Sequence, residues 1–257
     1  MNQSMILDQF RLNGKVAMVT GASSVLGQGI CRGLAEAGAD IIGVDYVEMP
    51  ETQRQVESTG RKFLGVAANL LNIEPIQGIL NHAVRTFGEI DILVNNAGIL
   101  HKADVLDFTE KDWDELMNLN MKTTFFFSQA LAKQFIKQNK GGKIVNIASI
   151  LSFHGDIRVS SNIAGKNGIV GLTKMLANEW AKYNINVNAV APGYIASNHT
   201  IALQENEEKN SDIINKIPAG RWGQIEDIEG AVVFLAVPAS NYINGHTLAV
   251  DGGWLAR

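Results

Sequence analysis

Cysteine is nearly missing from this chain of 257 residues: Cys31 stands alone, which excludes an intramolecular disulfide and a metal cluster built on cysteines. Proline is scarce too, five against 25 glycines, so the glycines read as tight turns at element ends and not as disorder. No apolar run approaches the roughly 20 residues of a membrane span. The densest one, Ala231 to Val237, stops at Pro238. Asp8 interrupts the short apolar patch in MNQSMILDQFRL, so no secretory signal is expected there. Positive charge is not in excess either: 22 Lys and Arg against 26 Asp and Glu leave −4, which argues against a nucleic-acid-binding surface. These absences leave the expectation of a protein with no membrane and no nucleic acid as partner, and no metal. A reducing, aqueous compartment follows, most simply the cytoplasm.

What is present is alternation. Short β-branched runs at Val16–Thr20, Asp40–Asp45, Lys62–Ala67, Asp91–Asn95, Lys143–Ile147, Ile185–Ala191 and Thr247–Val250 are nearly continuous in apolar residues. That is expected of strands buried on both faces of a parallel sheet. Between them lie helical patterns at Leu26–Ala37, Pro50–Thr59, Glu74–Phe87, Lys111–Gln138, Asn162–Lys182 and Ile225–Ala236. Thr109 to Asp112 gives the helix from Lys111 a capping-box-like start, and Gly38, Gly60 and Gly88 sit where helix C-caps belong. Strand–helix alternation implies an α/β fold, a doubly wound parallel sheet with helices on both faces. No linker divides residues 1–257, so one domain is expected. The polar, acidic stretch from His199 to Lys216 reads as a mobile helical lid spanning about 194–217. A solvated surface helix explains its composition equally well.

The first strand ends in Thr20-Gly21-Ala22-Ser23-Ser24-Val25-Leu26-Gly27-Gln28-Gly29 and runs straight into a helix. Small residues at such a turn let backbone N–H groups and the helix dipole face a pyrophosphate, although glycine also makes ordinary βα loops. Asp45 ends the second strand, 24 positions beyond Gly21. A carboxylate there can accept from a ribose 2′-hydroxyl and repels a 2′-phosphate, which favours NAD over NADP.

These residues resemble the short-chain dehydrogenase/reductase family, whose turn reads Thr-Gly-x-x-x-Gly-x-Gly. Thr20, Gly21 and Gly27 fall on it, while Val25 takes the place of the middle glycine. A β-branched residue there adds bulk and disfavours φ > 0 if the turn requires it, so weaker dinucleotide binding or a reshaped turn is expected. Asn95-Asn96-Ala97-Gly98 is similar to the family's segment bordering the adenosine ribose, and Asn69 with Leu70 lies where adenine is contacted. Pro192-Gly193 resembles the turn beside the nicotinamide, with Ile195 and Ser197 placed to hold its carboxamide; Ser23 and Leu26 belong to the phosphate turn. The resemblance runs from Leu12 to the last residue and implies a Rossmann-type single dinucleotide-binding domain using NAD or NADH. The stretches Asp112-Trp113-Asp114, Asn118-Leu119-Asn120, Ala177 to Lys182, Pro218 to Gly223 and Val250 to Arg257 resemble the branch acting on small sugar acids such as 2-deoxy-D-gluconate.

The resemblance also implies a catalytic quartet of Asn, Ser, Tyr and Lys. Asn120 matches the asparagine of a proton relay, Ser149 the serine that orients the substrate oxygen, and Lys166 the lysine that holds the nicotinamide ribose and lowers the tyrosine pKa. The tyrosine belongs four residues before that lysine, on the same helix face, and Asn162 stands there instead. A carboxamide neither gives nor takes a proton near neutral pH. His154 and Tyr194 are candidate replacements, and each is also explained as a residue shaping the pocket or packing on its ligand. For a substrate carboxylate, Arg158 is the first choice of cation, with His101 and Lys102 second. Two readings follow. One is an NAD-linked oxidoreductase interconverting a ketone and a secondary alcohol on a sugar acid, with impaired catalysis. The other is a non-catalytic protein of the same fold with an assembly or ligand-binding role. The resemblance further implies a homotetramer, packed through the helices Lys111–Gln138 and Asn162–Lys182 and the C-terminal strand region. Phe125-Phe126-Phe127 serves that interface or the core.

Overall fold

The computed structural model describes residues 5–197 and 200–257. In chain order the elements are β1 (Val16–Thr20), α1 (Val25–Glu36), β2 (Asp40–Asp45), α2 (Pro50–Ser58), β3 (Phe63–Ala67), α3 (Pro75–Phe87) and β4 (Ile92–Asn95). There follow α4 (Glu110–Leu116), a π-helical stretch (Met117–Thr123), α5 (Thr124–Gln138), β5 (Gly142–Ile147), α6 (Ser160–Trp180) and β6 (Ile185–Pro192). The chain closes with α7 (Ile201–Gln204), α8 (Glu207–Lys216), α9 (Ile225–Ala236) and β7 (Thr247–Val250). The seven strands form one parallel sheet in the order β3-β2-β1-β4-β5-β6-β7. This is the doubly wound architecture the alternation implies.

Along β1 the pleat sends Ala17 and Val19 to one face and Val16 and Met18 to the other. The first face packs on α1 and α9 through Ile30, Leu34, Val232 and Leu235, the second on α3, α5 and α6 through Leu80, Phe127, Phe135 and Leu176. Of the three successive phenylalanines, Phe127 is core, while Phe125 and Phe126 pack edge to face at its border. Gly38, Gly60 and Gly88 take φ of +112°, +77° and +83°, as helix-terminating residues do.

The strand order reverses between β1 and β4, so a crevice opens at the carboxyl ends of those two strands. A buried polar chain ties the crevice floor to its walls. Asn95 Nδ2 donates to Ser128 Oγ and to Asn146 Oδ1, and Asn146 Nδ2 donates to Thr173 Oγ1, all at 2.9 Å. The expected helix over Lys111–Gln138 is two helices with a wider turn between them, because the backbone shifts to π spacing over Met117–Thr123. The stretch expected as a lid holds α7 and α8, neither with a buried residue; Trp222 Nε1 donates to Asn210 Oδ1 at 2.7 Å and fastens α8. Its start at His199 lies outside the described residues. Among the described residues no helix is long and apolar enough to cross a membrane.

Candidate active site

The phosphate turn is built by β1, α1 and the loop after β4. Thr20 Oγ1 accepts from the backbone N–H groups of Asn96 and Ala97, and Asn96 Nδ2 donates to the carbonyls of Thr20 and Gly21, all within 3.0–3.1 Å. Gly21 is at φ +68°, and a Cβ on it would come within 2.8 Å of Ala97 Cα; a Cβ on Gly27 would run into the Gly21 carbonyl. Both glycines are therefore demanded by backbone approach. Val25 is the first residue of α1 and is not among the positive-φ residues, so the turn needs no left-handed backbone there. The expected conformational penalty is absent, and what Val25 brings is a partly exposed branched side chain. Ser24 caps the helix: its Oγ accepts from the Gly27 N–H at 3.0 Å. The N–H groups of Val25 and Leu26 have no acceptor among the described residues. Two orphan donors at the N-terminus of a 12-residue helix suit a pyrophosphate, so this turn fits a dinucleotide.

Asp45 is 6% exposed. Its Oδ2 accepts from Ser23 N–H at 2.8 Å and its Oδ1 from Tyr46 N–H at 2.7 Å, so the carboxylate is fixed at the edge of the turn with lone pairs to spare. Asn69 is exposed, and its Oδ1 accepts from Leu71 N–H at 3.0 Å. Its amide hydrogens and the second lone pair of Oδ1 remain for a base. Leu70 is buried, its carbonyl held by Thr123 Oγ1 at 2.6 Å. Across the crevice Pro192 ends β6, and Gly193 N–H donates to the Val250 carbonyl at 2.9 Å. Ile195 is buried, and Ser197 N–H donates to Thr200 Oγ1 at 3.0 Å.

The four residues expected to form a catalytic quartet lie in the π turn, just past β5 and on α6. Asn120 sits in the π turn, and its amide spans both backbone groups of Ile99: Oδ1 accepts from N–H and Nδ2 donates to C=O, each at 3.0 Å. Gly98 lies against the same amide, 3.2 Å from Oδ1 to the place of a Cβ. Ser149 follows β5 and caps a 3-10 turn, its Oγ accepting from Leu151 N–H at 3.2 Å, which leaves the hydroxyl proton for another acceptor. Lys166 Nζ donates to the Ile147 carbonyl at 2.6 Å, and burial pushes its pKa down to about 8. Asn162, one helical turn before Lys166, is buried, and its side-chain amide makes no hydrogen bond to a described residue. The site thus holds its hydroxyl and its ammonium but lacks a titratable group between them.

The remaining candidates divide. His154 and Tyr194 meet at the C-terminal turn: the Trp254 ring lies 6.1 Å from His154 and 4.8 Å from Tyr194, centroid to centroid. Burial pushes the Tyr194 pKa up, so that phenol is a poor base. Arg158 is exposed at φ +65°, its carbonyl accepting from Ala103 N–H at 3.3 Å. His101 does not stand free as a cation. Its Nδ1 is 3.8 Å from Asp112 Oδ1 and its Nε2 is 3.7 Å from Glu115 Oε2, so a positive ring there already faces two carboxylates. Lys102 is exposed. Trp254 and Arg257 went unnoticed as site residues in the sequence, where only the terminal motif they belong to stood out.

The sequence model of the enoyl-(acyl carrier protein) reductases matches residues 21–255. With the fold and the site above, the chain belongs to the short-chain dehydrogenase/reductase family. It is 58% identical over 253 residues to the 2-dehydro-3-deoxy-D-gluconate 5-dehydrogenase of Escherichia coli, a match covering 98% of this chain and 100% of that one. The Dickeya dadantii protein of the same name is 55% identical over 253 residues, again across 98% of this chain and 100% of its own. The gluconate 5-dehydrogenase of Burkholderia cenocepacia J2315, solved in complex with NADP and tartrate, matches at TM-score 0.94 and 36% identity, covering 98% of this chain and 100% of that one.

Proposed function

We propose that this cleft binds NAD and a small sugar acid of the 2-deoxy-D-gluconate kind, and interconverts a ketone and a secondary alcohol slowly for want of a proton donor. One observation carries the reading: Ser149 and Lys166 keep their frame while Asn162, whose amide has no hydrogen-bond partner among the described residues, stands between them in sequence. The similarity to sugar-acid dehydrogenases supports the substrate class. Bound NAD supplies a hydride acceptor. Gly21, Ser23, Leu26, Asp45, Asn96 and Lys166 are the residues to hold it, and the fixed Asp45 carboxylate favours NAD over its 2′-phosphorylated form. Ser149 orients the substrate oxygen with its free hydroxyl proton. The Lys166 ammonium would stabilise a phenolate beside it, but finds a carboxamide that cannot ionise. Val25 crowds the mouth of the phosphate turn and weakens dinucleotide binding.

Calorimetric titration with NAD and NADH comes first, and no binding at millimolar cofactor would remove the oxidoreductase reading. The double reversion Val25→Gly with Asn162→Tyr is then expected to raise NADH formation from 2-deoxy-D-gluconate by about 10²–10⁴-fold. If cofactor binds and the reversion brings no gain, the non-catalytic reading replaces this one. Ordinary enzymatic turnover by the unaltered chain, unaffected by His154→Ala, would overturn the role given to Asn162.

A further inference from the structure

The C-terminal turn presents a cation, Arg257, beside His154 and Trp254. An open surface depression of about 590 Å³ is lined by His154, Trp254, Leu255 and Arg257. The Arg257 guanidinium lies over the Trp254 ring, 4.4 Å from its centroid, and has no carboxylate partner among the described residues. Asp251 holds the turn that presents it: Oδ1 accepts from Gly253 N–H and Oδ2 from Leu255 N–H, both at 2.9 Å. Behind the turn, Tyr194 stands against Trp254 and meets Trp222 edge to face at 5.6 Å. The cation therefore rests on a packed aromatic wall.

His154 adds to the wall, its ring 6.1 Å from that of Trp254. Its Nδ1 is 2.8 Å from the Gly155 carbonyl, which can only accept, so Nδ1 carries the proton and Nε2 of the neutral ring bears the lone pair. That Nε2 is buried without a hydrogen-bond partner. It follows β5 and Ser149 by a few residues, and Tyr194 follows β6. Both loops leave the carboxyl ends of their strands, where the crevice lies. A cation on an aromatic face matches the carboxylate and the C–H face of a sugar acid.

We infer that Arg257 is the carboxylate-recognising residue of the substrate site, with the Trp254 ring receiving the carbon chain. The inference rests on the sugar-acid reading of the cleft. Arg257 and Arg158 are both exposed, but Arg257 is held over the Trp254 ring, which sets it ahead of Arg158, and it is ahead of His101, which faces two acids.

The test is binding, which does not depend on turnover. Protein with excess NAD is titrated calorimetrically with D-gluconate and with D-glucitol, which replaces the carboxylate by a hydroxymethyl group. Gluconate is expected to bind about tenfold or more tightly than glucitol, a charge-assisted hydrogen-bonded pair being at stake. Arg257→Ala should erase that preference and leave glucitol unchanged, while Arg257→Lys keeps part of it. If Arg257→Ala retains the preference and Arg158→Ala removes it, the inference is overturned and the sugar-acid reading stands. If the unaltered protein binds both equally, Arg257 has no such role. If it binds neither, both the inference and the substrate class fall.

Discussion

Asn162 and Tyr differ by one titratable proton, and in the reading proposed above that proton would meet Lys166, which is desolvated and bonded to the Ile147 carbonyl at the end of β5. The offset of four residues on a helix made this legible without coordinates, since the spacing alone fixes which position shares a face with Lys166. Arg257 was not legible, because nothing in a tail following Gly252-Gly253 says which loop it will meet. Only the pairing of β7 with β6 carries the tail to His154. A second lysine illustrates how burial acts away from the cleft. Lys143 Nζ donates to Asn186 Oδ1 at 2.9 Å and to Ser240 Oγ at 3.4 Å, neither charged, and burial lowers its pKa from 10.5 to about 8. The unfolded chain then holds this proton up to about pH 10.5 and the folded chain only to about pH 8, so stability rises with pH between those values. Below pH 8 the fold carries the full cost of the buried charge. Lys143→Met is therefore expected to melt higher than the unaltered protein at pH 7, the gap narrowing as pH approaches 10. Equal melting temperatures at pH 7 would show that the ammonium is not penalised.

At the scale of elements, the fold's alternation was plain in the sequence, and the break in the helix from Lys111 to Gln138 was not. Apolar periodicity over one turn does not distinguish i+4 from i+5 hydrogen bonding, and the residues of Met117–Thr123 carry no glycine or proline to mark it. The wider turn is stabilised by side chains: Thr124 Oγ1 donates to the Asn120 carbonyl at 2.9 Å, and the Asn120 amide grips Ile99. Asn120→Ala would leave the Ile99 N–H and C=O without their partner. A loss of about 1–3 kcal/mol is expected for such unpaired groups, measured by urea unfolding. Asn120→Asp keeps the acceptor but loses the donor, and should fall between. No change in either variant would mean that the π turn holds itself open.

The whole molecule leaves apolar side chains in view on the helices that the family resemblance marks for assembly: Trp113 on α4, Ile136 on α5 and Met175 on α6 are 39–41% exposed. Light scattering after gel filtration is expected to return four times the 27.9-kDa chain mass, and Met175→Glu to reduce it. A single-chain mass for the unaltered protein would reject the tetramer. The terminal turn clamped by Asp251 also has a practical bearing on how the protein is prepared. Any peptide fused behind Arg257 would issue from the rim of the depression that His154 and Trp254 line. At the other end, Phe10 stacks on Phe234 of α9, on the opposite face of the sheet from α5 and α6. An affinity handle therefore belongs at the N-terminal side, and a C-terminal handle should itself act as a competitor for the acid.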